Sequence, residues 1–316
     1  MQESIIITGA GTGIGLATAL VLADEGYRVF ATVPAPDQEA PLREAAAQYG
    51  VDVDVLHLDV TDRDSIQSAV DQVVAASGSV YGVVNSAGLG LRGFFEDIRD
   101  EEVRRLYEVN VFGAMAVTRA VLPCMRAARR GRIVFIGSAA GRVATMTVTA
   151  YGAGKFALEG FAEALALELD PFQVYVSVVD PGLVLTPRFA QNRVRARGSM
   201  DPHSPYHAWF LQCESMTDQL LRQSQTRPAQ VARAVHRALS ARRPRLRYVV
   251  GRGARIVIGL RRHLPDRLFE WLYYRQIVRR VTRPRTPATR FNDLELPGDN
   301  PIDYLGLPPP RSGSRT

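Results

Sequence analysis

Apolar stretches of five to eight residues alternate with amphipathic helical patterns through the first 180 residues, and this alternation constrains the fold more than any other sequence feature. The stretches rich in β-branched residues are 4–8, 28–33, 51–58, 80–84, 131–136 and 174–179. Helical periodicity is found at residues 16–25, 63–77, 101–129 and 151–169. Apolar, β-branched strands alternating with amphipathic helices predict a mostly parallel sheet covered on both faces. The sequence therefore predicts a doubly wound α/β fold.

Polar or glycine-containing segments follow the carboxyl ends of four predicted strands. They are residues 59–62, 85–88, 137–138 and 180–182. In open parallel sheets, ligands bind in the crevice beyond the carboxyl ends of the strands. We therefore expect the functional site at this edge of the sheet.

A glycine-rich turn, Gly9-Ala10-Gly11-Thr12-Gly13-Ile14-Gly15, follows the first predicted strand directly and leads into a helix. Glycines at this spacing let the backbone approach a pyrophosphate, which then accepts hydrogen bonds from the N–H groups of the helix N-terminus. Glycine spacing is a weak signal without its context, but the strand and the helix are both present here. The turn predicts a dinucleotide-binding site.

The end of the second predicted strand gives little information about which dinucleotide is bound. A carboxylate there would bind the ribose of NAD, and an arginine would accommodate the 2′-phosphate of NADP. The sequence has Val33 and Pro34 instead, with Asp37 three residues further along in a proline-containing loop. The choice between NAD and NADP stays open, and the missing carboxylate favours NADP.

Tyr151 and Lys155 lie four residues apart in a predicted helix, so their side chains project from the same face. A phenol has a pKa of about 10, and a neighbouring cation lowers it by stabilising the phenolate. Lys155 is the single lysine among the 39 basic residues, the rest of which are arginines. The pair predicts a general acid/base, although a solvated helix face would show the same spacing.

Together these motifs resemble the short-chain dehydrogenase/reductase family over residues 4–190. Residues 8–15 match its cofactor turn, and residues 85–88, Asn-Ser-Ala-Gly, are similar to its motif after the fourth strand. Its catalytic tetrad coincides with Asn110, Ser138, Tyr151 and Lys155, including the spacing of 13 residues from serine to tyrosine. The resemblance implies a Rossmann fold and an NAD(P)-dependent oxidoreductase that transfers a hydride between nicotinamide and a carbinol carbon.

The resemblance also implies a role for each member of the tetrad. Tyr151 would be the general acid/base, Ser138 would polarise the substrate oxygen, and Lys155 would lower the pKa of Tyr151 and bind the nicotinamide ribose. Asn110 would hold a water that links Lys155 to solvent. Alternatively, Ser138 is a helix cap and Asn110 is a helix-kink residue bonded to backbone. The expected cofactor-binding residues are Gly9, Gly11, Thr12, Gly13, Ile14, Gly15, Asp59, Val60, Asn85, Ala87, Gly88, Tyr151, Lys155, Pro181, Gly182 and Thr186.

The strand and helix alternation stops after residue 182, and an apolar, aromatic segment begins. We interpret residues 183–226 as a lid over the substrate, although ordinary helix packing would have the same composition. An apolar lid favours a steroid-, retinoid- or lipid-like secondary alcohol or ketone. This segment and the strand at residues 247–251 resemble the retinol and hydroxysteroid dehydrogenase branch of the family. We expect one catalytic domain at residues 1–260, a helical extension at 261–282 and an irregular tail at 283–316.

The helical extension is basic and amphipathic, with arginines flanking the apolar cluster at residues 268–273. Three interpretations stay open for residues 264–282. The segment lies in a membrane interface, packs on the body of the protein, or forms a subunit contact.

Composition excludes several other classes of protein. The two cysteines, Cys124 and Cys213, form no disulfide framework, and no metal-ligand spacing is present, so we expect no metal. We find no signal-peptide pattern and no uninterrupted apolar run that would span a membrane, and therefore expect a cytoplasmic protein, with association to a membrane surface left open. Nucleic-acid binding is not expected, because the arginine-rich third lacks a recognisable module. A catalytically silent regulatory protein of the same fold is the alternative to an enzyme, and we expect a homodimer or homotetramer.

Overall fold

Seven parallel strands form one sheet in the computed structural model, which describes residues 2–186, 193–283 and 302–310. The strand order is β3-β2-β1-β4-β5-β6-β7. Strands β2 and β3 are therefore added on one side of β1, and the strands from β4 onward are added on its other side. Ile5 of β1, for example, pairs with Val29 of β2 and with Gly82 of β4. The strands are β1 (Ser4–Ile7), β2 (Arg28–Val33), β3 (Asp54–His57), β4 (Gly82–Asn85), β5 (Gly131–Ile136), β6 (Val174–Pro181) and β7 (Arg247–Val250). The predicted doubly wound α/β fold is confirmed.

Helices cover both faces of the sheet, because a parallel sheet with apolar side chains on both faces needs packing partners on both sides. The helices are α1 (Gly13–Asp24), α2 (Glu39–Tyr49), α3 (Arg63–Ser77), α4 (Asp100–Tyr107), α5 (Ala114–Ala128), α6 (Thr149–Leu169), α7 (His207–Arg222), α8 (Pro228–Ser240), α9 (Arg252–His263), α10 (Asp266–Phe269) and α11 (Arg275–Thr282). One core joins the sheet to α1, α2 and α8, and a second joins it to α3, α5 and α6. The sheet is thereby buried on both sides.

Several predicted boundaries shift by a few residues, each for a local reason. Helix α1 begins at Gly13, three residues before the expected start, because the last part of the glycine turn is already helical. Strand β3 is confined to Asp54–His57, at the sheet edge, where only β2 fixes its length. Helix α3 begins as predicted, because the Asp62 carboxylate accepts hydrogen bonds from the N–H groups of Asp64 and Ser65.

The long helix expected at residues 101–129 runs from Asp100 to Ala128 but is interrupted. Residues Glu108–Gly113 form a π-helical segment between α4 and α5, and Asn110 lies within it. By length and composition, Asp100–Ala128 is the one helix in the described parts of the chain that could cross a membrane. Its apolar side chains, such as Val117 and Val121, lie in the second core, which accounts for its composition.

The C-terminal third folds back on both sides of the sheet. Part of the predicted lid, residues 187–192, lies outside the described residues, as do 284–301 and 311–316 of the predicted tail. The basic extension is helical, with a π-helical segment, Glu270–Tyr274, joining α10 to α11. Residues 302–306 form turns, and the side chains of Tyr304 and Leu305 are buried in the first core. Residues 302–306 are therefore attached to the body of the protein.

Candidate active site

The glycine turn between β1 and α1 has the shape of a phosphate cradle. Gly9 and Gly13 have φ angles of +66° and +58°, which favour glycine. A β-carbon on Gly15 would lie 2.1 Å from the Gly9 carbonyl oxygen, so only glycine fits there. Thr12 is the N-cap of α1, and its side chain makes no capping hydrogen bond. The first N–H groups of α1 are therefore suited to a pyrophosphate, and the turn fits a dinucleotide.

The loop after β4 lies directly beside this turn. The Thr8 hydroxyl accepts hydrogen bonds from the N–H groups of Ser86 and Ala87, at 3.0 and 3.1 Å. A β-carbon on Gly9 would lie 2.7 Å from the Ala87 Cα, so the two loops are in contact. The Asn85 amide is buried and donates to the Thr118 hydroxyl at 3.1 Å. The structure thus brings together the predicted cofactor residues of β1 and β4.

The loop after β6 reaches the same turn from the other side. The Thr186 side chain is nearly buried, and its Cγ2 lies 3.3 Å from the position of a β-carbon on Gly13. Pro181 ends β6, and Gly182 donates its N–H to the Val250 carbonyl at 2.9 Å, which holds the start of this loop against β7. The predicted residue Thr186 therefore borders the phosphate cradle, and Pro181 and Gly182 lie at the start of its loop.

Two other predicted cofactor positions have local structural partners. Asp59 accepts hydrogen bonds from the backbone N–H and the hydroxyl of Thr61, at 2.9 and 2.8 Å. Val60 is buried and packs against the π-helical segment, where a β-carbon on Gly113 would lie 2.8 Å from its Cγ2. Asp37 is exposed, and its neighbour Gln38 lies over Gly11 instead. The end of β2 therefore presents no carboxylate to the cradle.

Ser138, Tyr151 and Lys155 lie together beyond the carboxyl end of β5. The Ser138 hydroxyl lies close enough to the Tyr151 hydroxyl to act on the pKa of that phenol. The Lys155 ammonium group is buried, donates to the Ile136 carbonyl at 2.7 Å and lies 5.8 Å from the centre of the Tyr151 ring. Ser138 Oγ also accepts from the Ala140 N–H at 3.1 Å, so the alternative of a helix cap holds alongside the contact with Tyr151.

Burial shifts the pKa values of both titrating members of this group. It raises the pKa of Tyr151 above the usual phenol value, the Ser138 hydroxyl opposes this effect, and Asp180 adds to it. Burial lowers the pKa of Lys155 to about 8, against the charge of Asp180. We expected Lys155 to lower the pKa of Tyr151, but in this structure desolvation dominates and the pKa of Tyr151 is raised.

The Asn110 side chain is satisfied by backbone, as the alternative interpretation expected. Its Oδ1 accepts from the Leu89 N–H at 2.7 Å, and its Nδ2 donates to the Leu89 carbonyl at 2.8 Å. A β-carbon on Gly88 would lie 3.4 Å from the same oxygen, so Asn110 lies beside the loop after β4. Asn110 thus joins the π-helical segment to the loop after β4, and segments of this kind are frequent at functional sites.

A buried acidic pair next to Lys155 has no counterpart in the sequence analysis. The Asp180 carboxyl is completely buried at the end of β6, with Arg142 Nη1 3.6 Å from it. Burial and, next, the charge of the nearby Glu159 carboxyl raise the pKa of Asp180 to about 8. Glu159 is held from its other side by Arg247 Nε at 2.8 Å. The sequence signal was Asp180 directly before Pro181-Gly182.

The space in front of Tyr151 has an apolar wall. Tyr151 packs against a cluster that includes Leu91 and Leu106 and, from the segment before α7, Ala196. Further out, Phe94 stacks on Tyr206 with ring centres 4.9 Å apart, and Trp209 lies edge-on to Tyr206 at 6.1 Å. Aromatic side chains from the predicted lid and from the loop after β4 therefore meet near the site.

A buried ionic cluster connects the lid to the body of the protein. The Glu214 carboxylate of α7 is completely buried and accepts hydrogen bonds from Arg92, Arg193 and Arg195. Burial opposes ionisation, but Arg92 and Arg193 hold the pKa of Glu214 below its ordinary value. Arg92 lies in the loop after β4 and also donates to the Thr147 hydroxyl at 3.0 Å. The position of α7 therefore depends on one carboxylate.

A sequence model described as short chain dehydrogenase matches residues 3–196, more than half of the chain. The chain belongs to the short-chain dehydrogenase family. The uncharacterised oxidoreductase YusZ of Bacillus subtilis is 32% identical over 88% of this chain and 98% of its own length. Human retinol dehydrogenase 8 is 33% identical over 78% of this chain and 80% of its own. The 3-ketodihydrosphingosine reductase of Bacteroides thetaiotaomicron is 39% identical over 58% of this chain and 64% of its own.

Solved structures of the family have the same fold. A short-chain dehydrogenase from Streptomyces avermitilis has a TM-score of 0.72 and 32% identity over 88% of this chain and 98% of its own. The actinorhodin polyketide ketoreductase, solved with NADPH, has a TM-score of 0.69 and 29% identity over 80% of this chain and 97% of its own. A Burkholderia phymatum member, solved with NAD, has a TM-score of 0.72 and 24% identity over 83% of this chain and 93% of its own. The chain is therefore an NAD(P)-dependent short-chain oxidoreductase.

Proposed function

We propose that this oxidoreductase interconverts an apolar secondary alcohol and its ketone, with Tyr151 as the general acid/base. The observation that carries the proposal is the contact of the Tyr151 and Ser138 hydroxyl groups at the apolar wall, with the buried Lys155 ammonium beside them. A group that transfers a proton to a carbonyl oxygen must lie within hydrogen-bonding reach of it. An oxygen placed between the two hydroxyl groups meets that condition.

The protein groups have complementary tasks in ketone reduction. Bound NAD(P) supplies the hydride. Ser138 donates a hydrogen bond to the carbonyl oxygen and holds it in place, and Tyr151 donates the proton that this oxygen takes up. The charge of Lys155 stabilises the phenolate that remains on Tyr151, and alcohol oxidation uses the same groups in reverse. Because burial raises the pKa of Tyr151, its hydroxyl keeps its proton at neutral pH and is ready to act as the acid.

The apolar substrate class is supported by the composition of the wall and by the relatives. Leu91, Leu106 and Ala196 offer no polar groups that would recognise a sugar, whereas Phe94 and Trp209 suit a ring system or a long chain. The names of two relatives contain retinol, an apolar primary alcohol, and ketodihydrosphingosine, a long-chain ketone, and both support an apolar substrate. We infer a steroid-, retinoid- or lipid-like substrate.

We also infer NADP as the preferred nucleotide. Val33 and Pro34 end β2 without a carboxylate, so no negative charge at that position would repel a 2′-phosphate. The alternative of a catalytically silent regulatory protein would need a defect in the site, and Ser138, Tyr151 and Lys155 are all present and grouped. Assembly through α5 and α6 stays a prediction, supported by the exposed Phe112 and Phe156 on this helical layer.

The test measures the change in nicotinamide absorbance during turnover, with NADPH and NADH supplied separately. The candidate substrates are steroid, retinoid and aliphatic carbonyl compounds. We expect Tyr151→Phe to lower kcat by about 10²- to 10⁴-fold, the usual contribution of a general acid/base, with little change in nucleotide affinity. Phe156→Tyr, on the exposed side of the same helix, is a matched control and should keep full turnover. Near-normal turnover in Tyr151→Phe would contradict the assignment.

A further inference from the structure

The C-terminal helical segment, residues 252–283, carries the whole net charge of the protein. It contains nine arginines and two acidic residues and so has a net charge of +7, equal to that of all 316 residues. The remaining chain is electrically balanced. Of the two acids, Asp266 is paired with Arg261 of the preceding helix. The excess of arginine is therefore a local property of one surface.

The inner face of this segment is attached to the active-site loop. Phe269 is buried and packs with Val143 and Ile258. Tyr273 packs against the same cluster, and Val143 of this cluster lies between Ser138 and Tyr151 in the chain. These contacts fix which side of the helix faces solvent.

The outer face is apolar at its centre and basic around it. Leu268, Trp271 and Leu272 have the spacing of one helix face, and all three are exposed. Trp271 is 56% exposed, an unusual value for a tryptophan in a folded body. In the preceding helix, Ile256 and Leu260 are also exposed and four residues apart. The exposed arginines of residues 267–280 are Arg267, Arg275, Arg279 and Arg280.

We propose that this outer face, formed by residues 256–280, binds the surface of an anionic lipid bilayer. A helix with a basic flank and a Trp/Leu face lies in the plane of the interface, with its apolar side chains below the headgroups. Arginine side chains extend their apolar stems along such a surface and place the guanidinium at the lipid phosphates. The arginine charges are then neutralised by the lipid phosphates, and the exposed apolar side chains are removed from water at the same time.

Charge argues against a second copy of the chain as the occupant. A twofold contact would place two identical faces, each with six arginines and two acidic residues and so a net charge of +4, against one another. The repulsion would act across an interface that also excludes water and counterions. A surface of opposite charge removes this conflict.

Docking in this orientation would bring the loop between Ser138 and Tyr151 close to the bilayer. The same helix would contact the bilayer through Trp271, and it packs through Tyr273 against the cluster that contains Val143 of that loop. Apolar alcohols and ketones partition into bilayers, so the enzyme would take its substrate from the phase in which it is dissolved. The docking surface itself does not depend on the proposed substrate, and its test requires no turnover.

The experiment is flotation of the full chain with vesicles of phosphatidylcholine alone or mixed with phosphatidylglycerol. We expect binding to the anionic vesicles to be at least about tenfold tighter and to weaken as salt is raised. Arg279→Glu with Arg280→Glu should weaken it by at least about tenfold, as should Trp271→Gln with Leu272→Gln. The matched controls are Arg242→Glu with Arg243→Glu and Leu167→Gln, which alter exposed residues outside the segment and should bind normally. Nucleotide binding in each variant verifies folding.

Fluorescence reports the depth of the same contact. Trp209→Phe leaves Trp271 as the single tryptophan, whose emission should shift to the blue and become shielded from an aqueous quencher on anionic vesicles. Equal binding to neutral vesicles, no binding, or unchanged binding in the segment variants would overturn the proposal. So would self-association or nucleic-acid binding that the same variants abolish while vesicle binding persists.

Discussion

The lysine at position 155 differs from an exposed lysine in two physical respects. Its ammonium is buried and bonded to the Ile136 carbonyl, and it lies near Asp180, whose own carboxyl is completely buried. Desolvation outweighs the nearby acid, so the pKa of Lys155 falls to about 8. The cation is present below this pH and is lost as pH rises through it. An arginine, which keeps its charge, would not titrate in this range.

The titration of Lys155 predicts the pH profile of the enzyme. We expect kcat/KM for NADPH in ketone reduction to be level near neutrality and to fall about tenfold per pH unit above pH 8, because this ratio reports the free enzyme. In Lys155→Arg the falling limb should disappear, on a lower overall rate, since the guanidinium stays charged. A limb that stays near pH 8 in the variant would belong to another group.

At the scale of elements, the lid and the body of the protein are joined by the Glu214 cluster. Its three arginines come from the loop after β4 and from the segment before α7, which are more than a hundred residues apart in the chain. Removing the charge from a buried network leaves its partners uncompensated and costs about 3–5 kcal/mol. This loss of stability would affect the lid and not the glycine turn, because the glycine turn lies outside the cluster.

The Glu214 cluster predicts that its loss changes ketone binding more than nucleotide binding. In Glu214→Gln we expect KM for the ketone to rise at least about tenfold, with the Kd of NADPH changed less than about twofold. Asp218→Asn is the matched control, because Asp218 pairs with Arg193 alone of the three arginines and is partly exposed. Steady-state kinetics and nucleotide titration measure the two effects. Equal loss of ketone and nucleotide affinity would indicate general unfolding instead of lid displacement.

The elements differ in how far the sequence predicted them. Strands β2 and β5 and helix α3 have the expected bounds, because apolar runs and the Asp62 cap are local signals. The glycine turn and the grouping of Ser138, Tyr151 and Lys155 also agree with expectation. The π-helical segment at Asn110 and the acidic pair of Asp180 were not predicted. Both arise from packing between elements distant in the chain, which periodicity does not report.

At the scale of the whole molecule, the last described residues complete the layer that covers one face of the sheet. Leu305 is completely buried, and its carbonyl accepts from the Ala229 N–H at 2.9 Å at the start of α8. The Tyr304 hydroxyl lies close enough to the backbone of Gly13 in the cofactor turn for that backbone to oppose the rise in its pKa. The tail was expected to be irregular, and residues 302–306 are turns, yet they join the phosphate cradle to α8. Composition alone gave no sign of this contact.

This attachment predicts that the end of the chain contributes to the stability of the enzyme. Leu305→Ala should lower the free energy of unfolding by about 2–5 kcal/mol, because it leaves a cavity between α1 and α8. Leu307→Ala, at a partly exposed position in the same segment, should cost less than half as much. Urea denaturation followed by circular dichroism measures both, with the slope of the transition unchanged. Equally small effects would mean that the segment is detached in solution, and Tyr304 would then have no influence on the cofactor turn.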